Sequence, residues 1–267
     1  MKAQFAGTFY PEDLAILKSE LKKFIGERKP INKIKAVIVP HAGYSYSGKT
    51  AGKVYSMLPN SEIYVILGTS HKGENAIGDE KIITPLGKVE TDSEFCKMLS
   101  DKTDLKINNE AFINEHSIEV QLPFLQFCFS NFSIVPIILN YDYSNFDKLA
   151  DAIDKVAKEK NKKIIVICSS DLTHYGRAYG FLPFPPDKKK IYEIDKKIIS
   201  RIMAIDSGKF LSEALRSTVC GVKAIATCIE YANTLGLKAK LVDYSNSGDS
   251  TGYENCVGYA GIIFNKS

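Results

Sequence analysis

The chain has 267 residues, 45% of them hydrophobic and 25% charged, with a formal net charge of +4. That is ordinary globular composition, enough for one large domain or two small ones. The lysine clusters Lys188-Lys189-Lys190 and Lys158-Glu-Lys-Asn-Lys-Lys163 lie in or beside predicted helices among acids. They read as solvated faces and give no ground for a nucleic-acid partner. Met1-Lys-Ala-Gln-Phe-Ala-Gly lacks the apolar core of a signal peptide, and no apolar run approaches the ~20 residues that cross a bilayer. Six scattered cysteines form no C-x-x-C pair. The expectation is a cytoplasmic protein with reduced thiols and no membrane partner.

Pro11 suits the first turn of an opening helix, in which Leu14, Leu17, Leu21, Phe24 and Ile25 recur at helical spacing. A strand over Lys35–Val39 stops at Pro40-His41, and a helix is expected from about Lys49 to Leu58. The next buried strand, Ile63–Leu67, runs into Gly68-Thr-Ser-His71. Residues 82–89 read as a short hairpin. Thr91-Asp-Ser-Glu94 has the spacing of a capping box and starts the helix with Phe95, Met98 and Leu99.

Asn114–Glu119 opens a helix that Pro123 kinks or restarts. A strand over Phe132–Leu139 precedes an amphipathic helix capped near Ser144 and ending near Val156. The strand Lys163–Cys168 ends in Ser169-Ser-Asp171-Leu-Thr-His174-Tyr-Gly. The loop Phe181–Pro186 is long enough for a lid or wall. Helices over Asp187–Ala204, Ser207–Leu215 and Cys220 to about Leu235 precede strands Leu237–Tyr244 and Cys256–Phe264, which flank the polar loop Ser245–Gly252. Strands alternating with helices argue for an α/β sandwich, a largely parallel or mixed sheet flanked by helices, in a single domain over residues 1–267.

Three of the four histidines, His41, His71 and His174, directly follow predicted strands. In a parallel sheet they emerge at one carboxyl edge, where such folds place ligands. Imidazoles are the commonest metal ligands and suit iron, copper, zinc or nickel. Asp171 is either a helix cap or a partner orienting His174. His116 and Glu119, spaced to share a helix face, are expected in a supporting role. Cys220 precedes a glycine at a predicted helix start, where the dipole lowers a thiol pKa, so its thiolate can serve as metal ligand or nucleophile. A competing reading takes Gly43-Tyr-Ser-Tyr-Ser-Gly48-Lys49-Thr50 as a phosphate loop. Against it stand the bulk of Tyr44 and Tyr46, the missing metal-binding aspartate after an apolar run, and histidines left idle. If the match is coincidental, Tyr44 and Tyr46 line the pocket, with Ser170 beside them.

Ala6-Gly-Thr-Phe-Tyr-Pro11, Val39-Pro-His-Ala-Gly-Tyr44, Leu67-Gly-Thr-Ser-His71, Glu115-His-Ser-Ile-Glu119, Ser169-Ser-Asp-Leu-Thr-His174-Tyr-Gly, Cys220-Gly221 and Ser247-Gly-Asp249 occur in this order. Together they resemble the Memo family, called AmmeMemoRadiSam system protein B in prokaryotes. Phe9 stands where many members carry Trp. The resemblance implies a fold similar to class III extradiol dioxygenases, with His41, His71 and Cys220 facing a metal. Cys220 takes the place of the dioxygenases' carboxylate, and His174 matches their acid-base histidine, with Asp171 beside it. A thiolate is softer than a carboxylate, so copper or zinc becomes a candidate besides iron(II). The expected function is a metal-binding, redox or dioxygenase-related protein acting on an unknown small molecule. The alternatives are a non-catalytic interaction module, as animal relatives suggest, and an NTPase. Prokaryotic members are encoded with radical-SAM and AMMECR1-like partners.

Overall fold

The computed structural model describes residues 1–266. Its strands are β1 (Ile34–Val39), β2 (Ile63–Thr69), β3 (Ala76–Ile77), β4 (Ile82–Thr84), β5 (Gly87–Thr91), β6 (Lys106–Ile107), β7 (Ser133–Leu139), β8 (Ile164–Ser169), β9 (His174–Gly176), β10 (Lys238–Asn246) and β11 (Asn255–Asn265). The main sheet runs β10-β11-β1-β8-β2-β7-β3-β6. Its centre, β1-β8-β2-β7, is parallel, with Val39 opposite Ser169 and Leu67 opposite Cys168. β11 joins β1 antiparallel, and β10 joins β11 antiparallel. The sheet is therefore mixed, with helices on both faces.

The near-continuous apolar runs of the central strands reflect burial on both sides. Alternate residues serve two separate cores. Ala36, Ile38, Val65, Leu67, Val166 and Cys168 point into one, which is closed by the helices Phe146–Glu159, Lys188–Met203 and Val222–Thr234. Val37, Val39, Tyr64, Ile66, Ile165 and Ile167 point into the other, under the helices Leu14–Ile25, Tyr44–Met57 and Leu122–Cys128.

Several expected boundaries move. The second helix begins at Tyr44 rather than Lys49, with Gly43 as its N-cap. The phosphate-loop reading fails on this point, because the backbone N–H groups it would offer to a phosphate lie inside a helix. Lys49 faces solvent, and the Thr50 hydroxyl donates to Asp243 Oδ2 at 2.9 Å, tying the helix to β10. Gly52 is there for packing, since a Cβ at this position would sit 2.4 Å from the backbone of Phe24. Asp92, not Thr91, caps the helix Ser93–Lys102 through the Phe95 N–H. The stretch after Asn114 forms two short helices, His116–Glu119 and Leu122–Cys128, the second with Pro123 in its first turn. His174 does not sit in a helical turn but opens β9, which pairs with β11. Phe181 and Phe184 pack on Tyr175, Ile191 and Cys256, so the Phe181–Pro186 loop forms a wall.

Candidate metal centre

Because β1, β8 and β2 are parallel neighbours, their carboxyl ends meet at one edge. β1 delivers His41, β2 delivers His71, and β8 between them delivers Ser169, Ser170 and Asp171. The start of the helix His116–Glu119 lies across this edge, and Cys220 arrives just before the helix Val222–Thr234.

One ring nitrogen from each of His41, His71 and His116 lies within 4.8 Å of the other two. His71 and His116 stack with centroids 4.7 Å apart, and His41 meets His116 edge-on at 5.1 Å. His116, expected in a supporting role, stands inside the cluster. Buried Glu115 holds its neighbour in place. Its carboxylate accepts the His71 backbone N–H at 2.9 Å, the Ser117 N–H at 2.9 Å and His71 Nδ1 at 3.0 and 3.1 Å. Burial pushes the Glu115 pKa up, but the hydrogen bonds and charge of His71 outweigh it and hold the acid down at about 2. With Nδ1 bonded to a carboxylate, His71 presents Nε2, as ligating histidines do. Burial, then the neighbouring imidazoles of His41 and His71, lower His116 to about 3. It stays neutral with a lone pair free.

The orientation of His41 is assigned from the hydrogen-bond network. The Ser169 hydroxyl donates to Ser117 O at 2.5 Å and accepts from Gln121 Nε2 at 2.8 Å. Its remaining lone pair faces His41 Nδ1 at 3.3 Å, so that nitrogen carries the hydrogen. His41 Nε2 lies 3.1 Å from Cys220 Sγ. Burial alone would lower the His41 pKa; the charges of Cys220 and Asp171 overcome it and raise the imidazole to about 10. Burial would likewise push the Cys220 thiol up, yet His41 pulls it below its ordinary value. Both shifts run in the direction that favours an imidazolium–thiolate pair. Gly221 makes this approach feasible, since a Cβ there would lie 2.5 Å from Ser170 Oγ. Ser170 Oγ accepts the Gly221 N–H at 2.9 Å and stands 3.6 Å from Cys220 Sγ.

Asp171 does not orient His174. Its carboxylate accepts the backbone N–H groups of His41 at 2.8 Å and Ala42 at 3.3 Å, fixing the turn after β1, and its own N–H points at Cys220 Sγ, 3.2 Å away. His174 is oriented by two carbonyls, Leu172 O at 3.0 Å and Thr218 O at 3.1 Å, both facing Nδ1. Its Nε2 is left toward a cavity of about 430 Å³ that His116, Asp171, Tyr46, Tyr179, Tyr259 and Phe9 also line. Tyr46 lines this cavity and is 52% exposed. Tyr44 does not; it is buried in the core and its hydroxyl donates to Val120 O at 2.7 Å. Glu119 faces away from the histidines. It accepts the N–H groups of Gln4 and Phe5 and the Tyr10 hydroxyl, each at 2.8 Å, and so clamps the segment that packs Phe9 on His116 at 4.5 Å.

A family model described as Memo-like protein matches residues 2–263. The chain belongs to the Memo family. It is 39% identical to a MEMO1 family protein of Archaeoglobus fulgidus, over 97% of both chains. A MEMO1 family protein of Aquifex aeolicus is 37% identical over 97% of both, and one of Thermococcus onnurineus 35% identical over 98% of both. The solved structure of an uncharacterised Escherichia coli K12 protein superposes with a TM-score of 0.56 at 10% identity, covering 85% of this Memo chain and 99% of the other. That likeness shows the fold alone. No described helix is long and apolar enough to cross a membrane.

The donor set suits a divalent transition metal: nitrogen ligands sit ~2.0–2.1 Å from such an ion and so about 3.4 Å from one another in a tetrahedral site, and these three, within 4.8 Å of one another, reach that spacing by closing up to about 1.4 Å. Sequence reasoning missed Glu115, Ser169, Gln121 and Thr218. Glu115 could have been found: an acid at a helix start beside a histidine is a ready partner for a neighbouring imidazole. Thr218 gave no such sign, although its carbonyl faces His174 Nδ1 and its hydroxyl accepts the His174 N–H at 2.8 Å and donates to His174 O at 2.6 Å, because these contacts join segments 44 residues apart.

Proposed function

We propose that this Memo protein binds a redox-active transition metal, iron(II) or copper with zinc as a competitor, and acts as a redox or dioxygenase-related enzyme on a small molecule. The observation that carries the reading is the group of three imidazoles with His71 fixed by Glu115 and His116 held neutral. His41 and His71 are the common ligands. His116 and Cys220 compete for the third place, and Cys220 takes it only by giving up its contact with His41. When bound, iron(II) or copper supplies one-electron chemistry and Lewis acidity.

The chain's own groups supply the rest. His174, its Nδ1 committed to carbonyls, can take or give a proton at Nε2 within the cavity. Tyr46, Tyr179 and Tyr259 form a polar-aromatic wall for a small substrate, and Phe9 shields His116 from water. The chemistry would take place in the cytoplasm, with radical-SAM and AMMECR1-like proteins as functional partners.

The test is metal content after anaerobic purification of wild type, His41→Ala, His116→Ala and Cys220→Ser. Loss of metal in His41→Ala is expected, and the other two variants decide the third ligand. Unchanged metal in all three would overturn the centre.

A further inference from the structure

A second cavity, about 530 Å³, lies at the opposite end of the sheet, where the parallel strands begin. That volume falls within the usual ~300–1,000 Å³ of small-molecule sites. Lys35 comes from the start of β1, Lys163 from the residue before β8, and Lys266 follows β11, whose end lies beside the start of β1. The apolar floor is Ile164, Ala157 and Leu235.

The charges do not cancel. Lys162 pairs with Glu62 at 2.7 Å and Lys158 with Asp154 at 2.5 Å. Lys35, Lys163 and Lys266 make no ion pair among the described residues, and Glu62, already held by Lys162, is the carboxylate that feels the charge of Lys163. Burial, then the charges of Lys266 and Lys163, lower the Lys35 pKa, so these lysines feel one another. The helices Phe146–Glu159 and Val222–Thr234 both end here, and their carbonyl ends are the ordinary reason for lysines at such a place. Each end is worth only about half a negative charge, however, so among the described residues the three lysines still leave an excess of about two positive charges. Tyr231 adds a second sign. It is 2% exposed and lines the cavity, and its hydroxyl, not among the sealed unpaired atoms, is free to bond a ligand there. A hydroxyl that opens into a cavity beside three ammonium groups can give its hydrogen to an acceptor bound there.

We infer that this cavity binds a phosphorylated small molecule, its phosphate oxygens taking charge-assisted bonds from Lys35, Lys163 and Lys266 and a hydrogen bond from the Tyr231 hydroxyl. The site is separate from the histidine cluster and does not depend on the metal reading.

Pyrophosphate at constant ionic strength, followed by titration calorimetry on the full chain, tests it. Saturable binding is expected, weakened about 10- to 100-fold by Lys35→Gln and abolished by the Lys163→Gln/Lys266→Gln double variant, since a bond to a charged group is worth ~1.5–3 kcal/mol. Tyr231→Phe keeps the fold and weakens binding several-fold. Lys97→Gln, exposed on another helix, and His41→Ala bind like wild type. Absence of saturable heat in wild type, or equal binding by the double variant and Lys97→Gln, would refute the site.

Discussion

Glu115→Gln removes the carboxylate on which the histidine cluster rests while keeping its shape. Glu115 receives three donors on two oxygens: the His71 N–H, the Ser117 N–H and His71 Nδ1. An amide offers one acceptor oxygen and turns an NH2 group toward donors. The side chain is 3% exposed, so solvent does not repair the loss. Lowering this acid from 4.5 to about 2 corresponds to about 3 kcal/mol. Because the group is coupled to His71, that figure is a ceiling, and a loss of about 2 kcal/mol is expected in urea denaturation at pH 7.

The sign follows from the depressed folded pKa. The contribution is present above the unfolded value of 4.5 and fades as pH falls toward about 2, so wild type and variant converge in acid. Metal affinity drops as well, by about 10- to 100-fold, because His71 is no longer held in its ligating tautomer. Zinc(II) with a competing chromogenic chelator reads this directly. Glu119→Gln is the matched control: it releases the Gln4–Tyr10 segment and costs stability, but leaves zinc affinity within about twofold. Equal zinc affinity in Glu115→Gln and wild type would refute the supporting role assigned to Glu115.

Gly52→Ala places a Cβ 2.4 Å from Phe24 backbone and should cost about 1–3 kcal/mol by pushing two helices apart, read as a lower urea midpoint. Asp195 is buried between the Thr173 N–H and the Tyr244 hydroxyl, and burial raises its pKa to about 6. Its burdensome charge makes stability fall as pH rises from 3.8 to about 6, by up to about 3 kcal/mol, so the stability of Asp195→Asn relative to wild type should climb over that window. A flat difference would contradict the burial argument. Metal-free protein at neutral pH should show thiolate absorbance from Cys220, abolished in Cys220→Ser and strongly reduced in His41→Ala; no thiolate signal in wild type would break the proposed ion pair. Because the His41 proton must leave before Nε2 can ligate, metal affinity should rise with pH, by about tenfold per unit for each proton displaced.

The central strands were legible because residues buried on both faces leave unbroken apolar runs, and the placement of His41 and His71 followed from parallel order. What stayed hidden depends on contacts between remote segments. The helix start at Tyr44 was obscured by two glycines that face another helix instead of opening a loop. His116 looked auxiliary because its approach to His41 is set by where a short helix crosses the strand ends. The pairing of Asp171 with His174, inferred from a spacing of three, failed because β9 carries His174 off in an extended conformation toward β11. Tyr44 and Tyr46, two residues apart on a helix, point to opposite destinations, core and cavity.

The placement of β8 between β1 and β2 has a further consequence, for folding. The bond from the His41 N–H to Asp171 spans 130 residues of chain, and the histidine cluster exists only after strands from distant parts of the sequence have docked side by side. Such non-local closure is slow and comes late in assembly. A partly folded chain therefore offers scattered imidazoles but no preformed cage. An ion that binds the native cluster accordingly stabilises the whole central sheet rather than one loop, by an amount that grows with the logarithm of its concentration. The melting temperature of the entire chain becomes the reporter of occupancy at one edge.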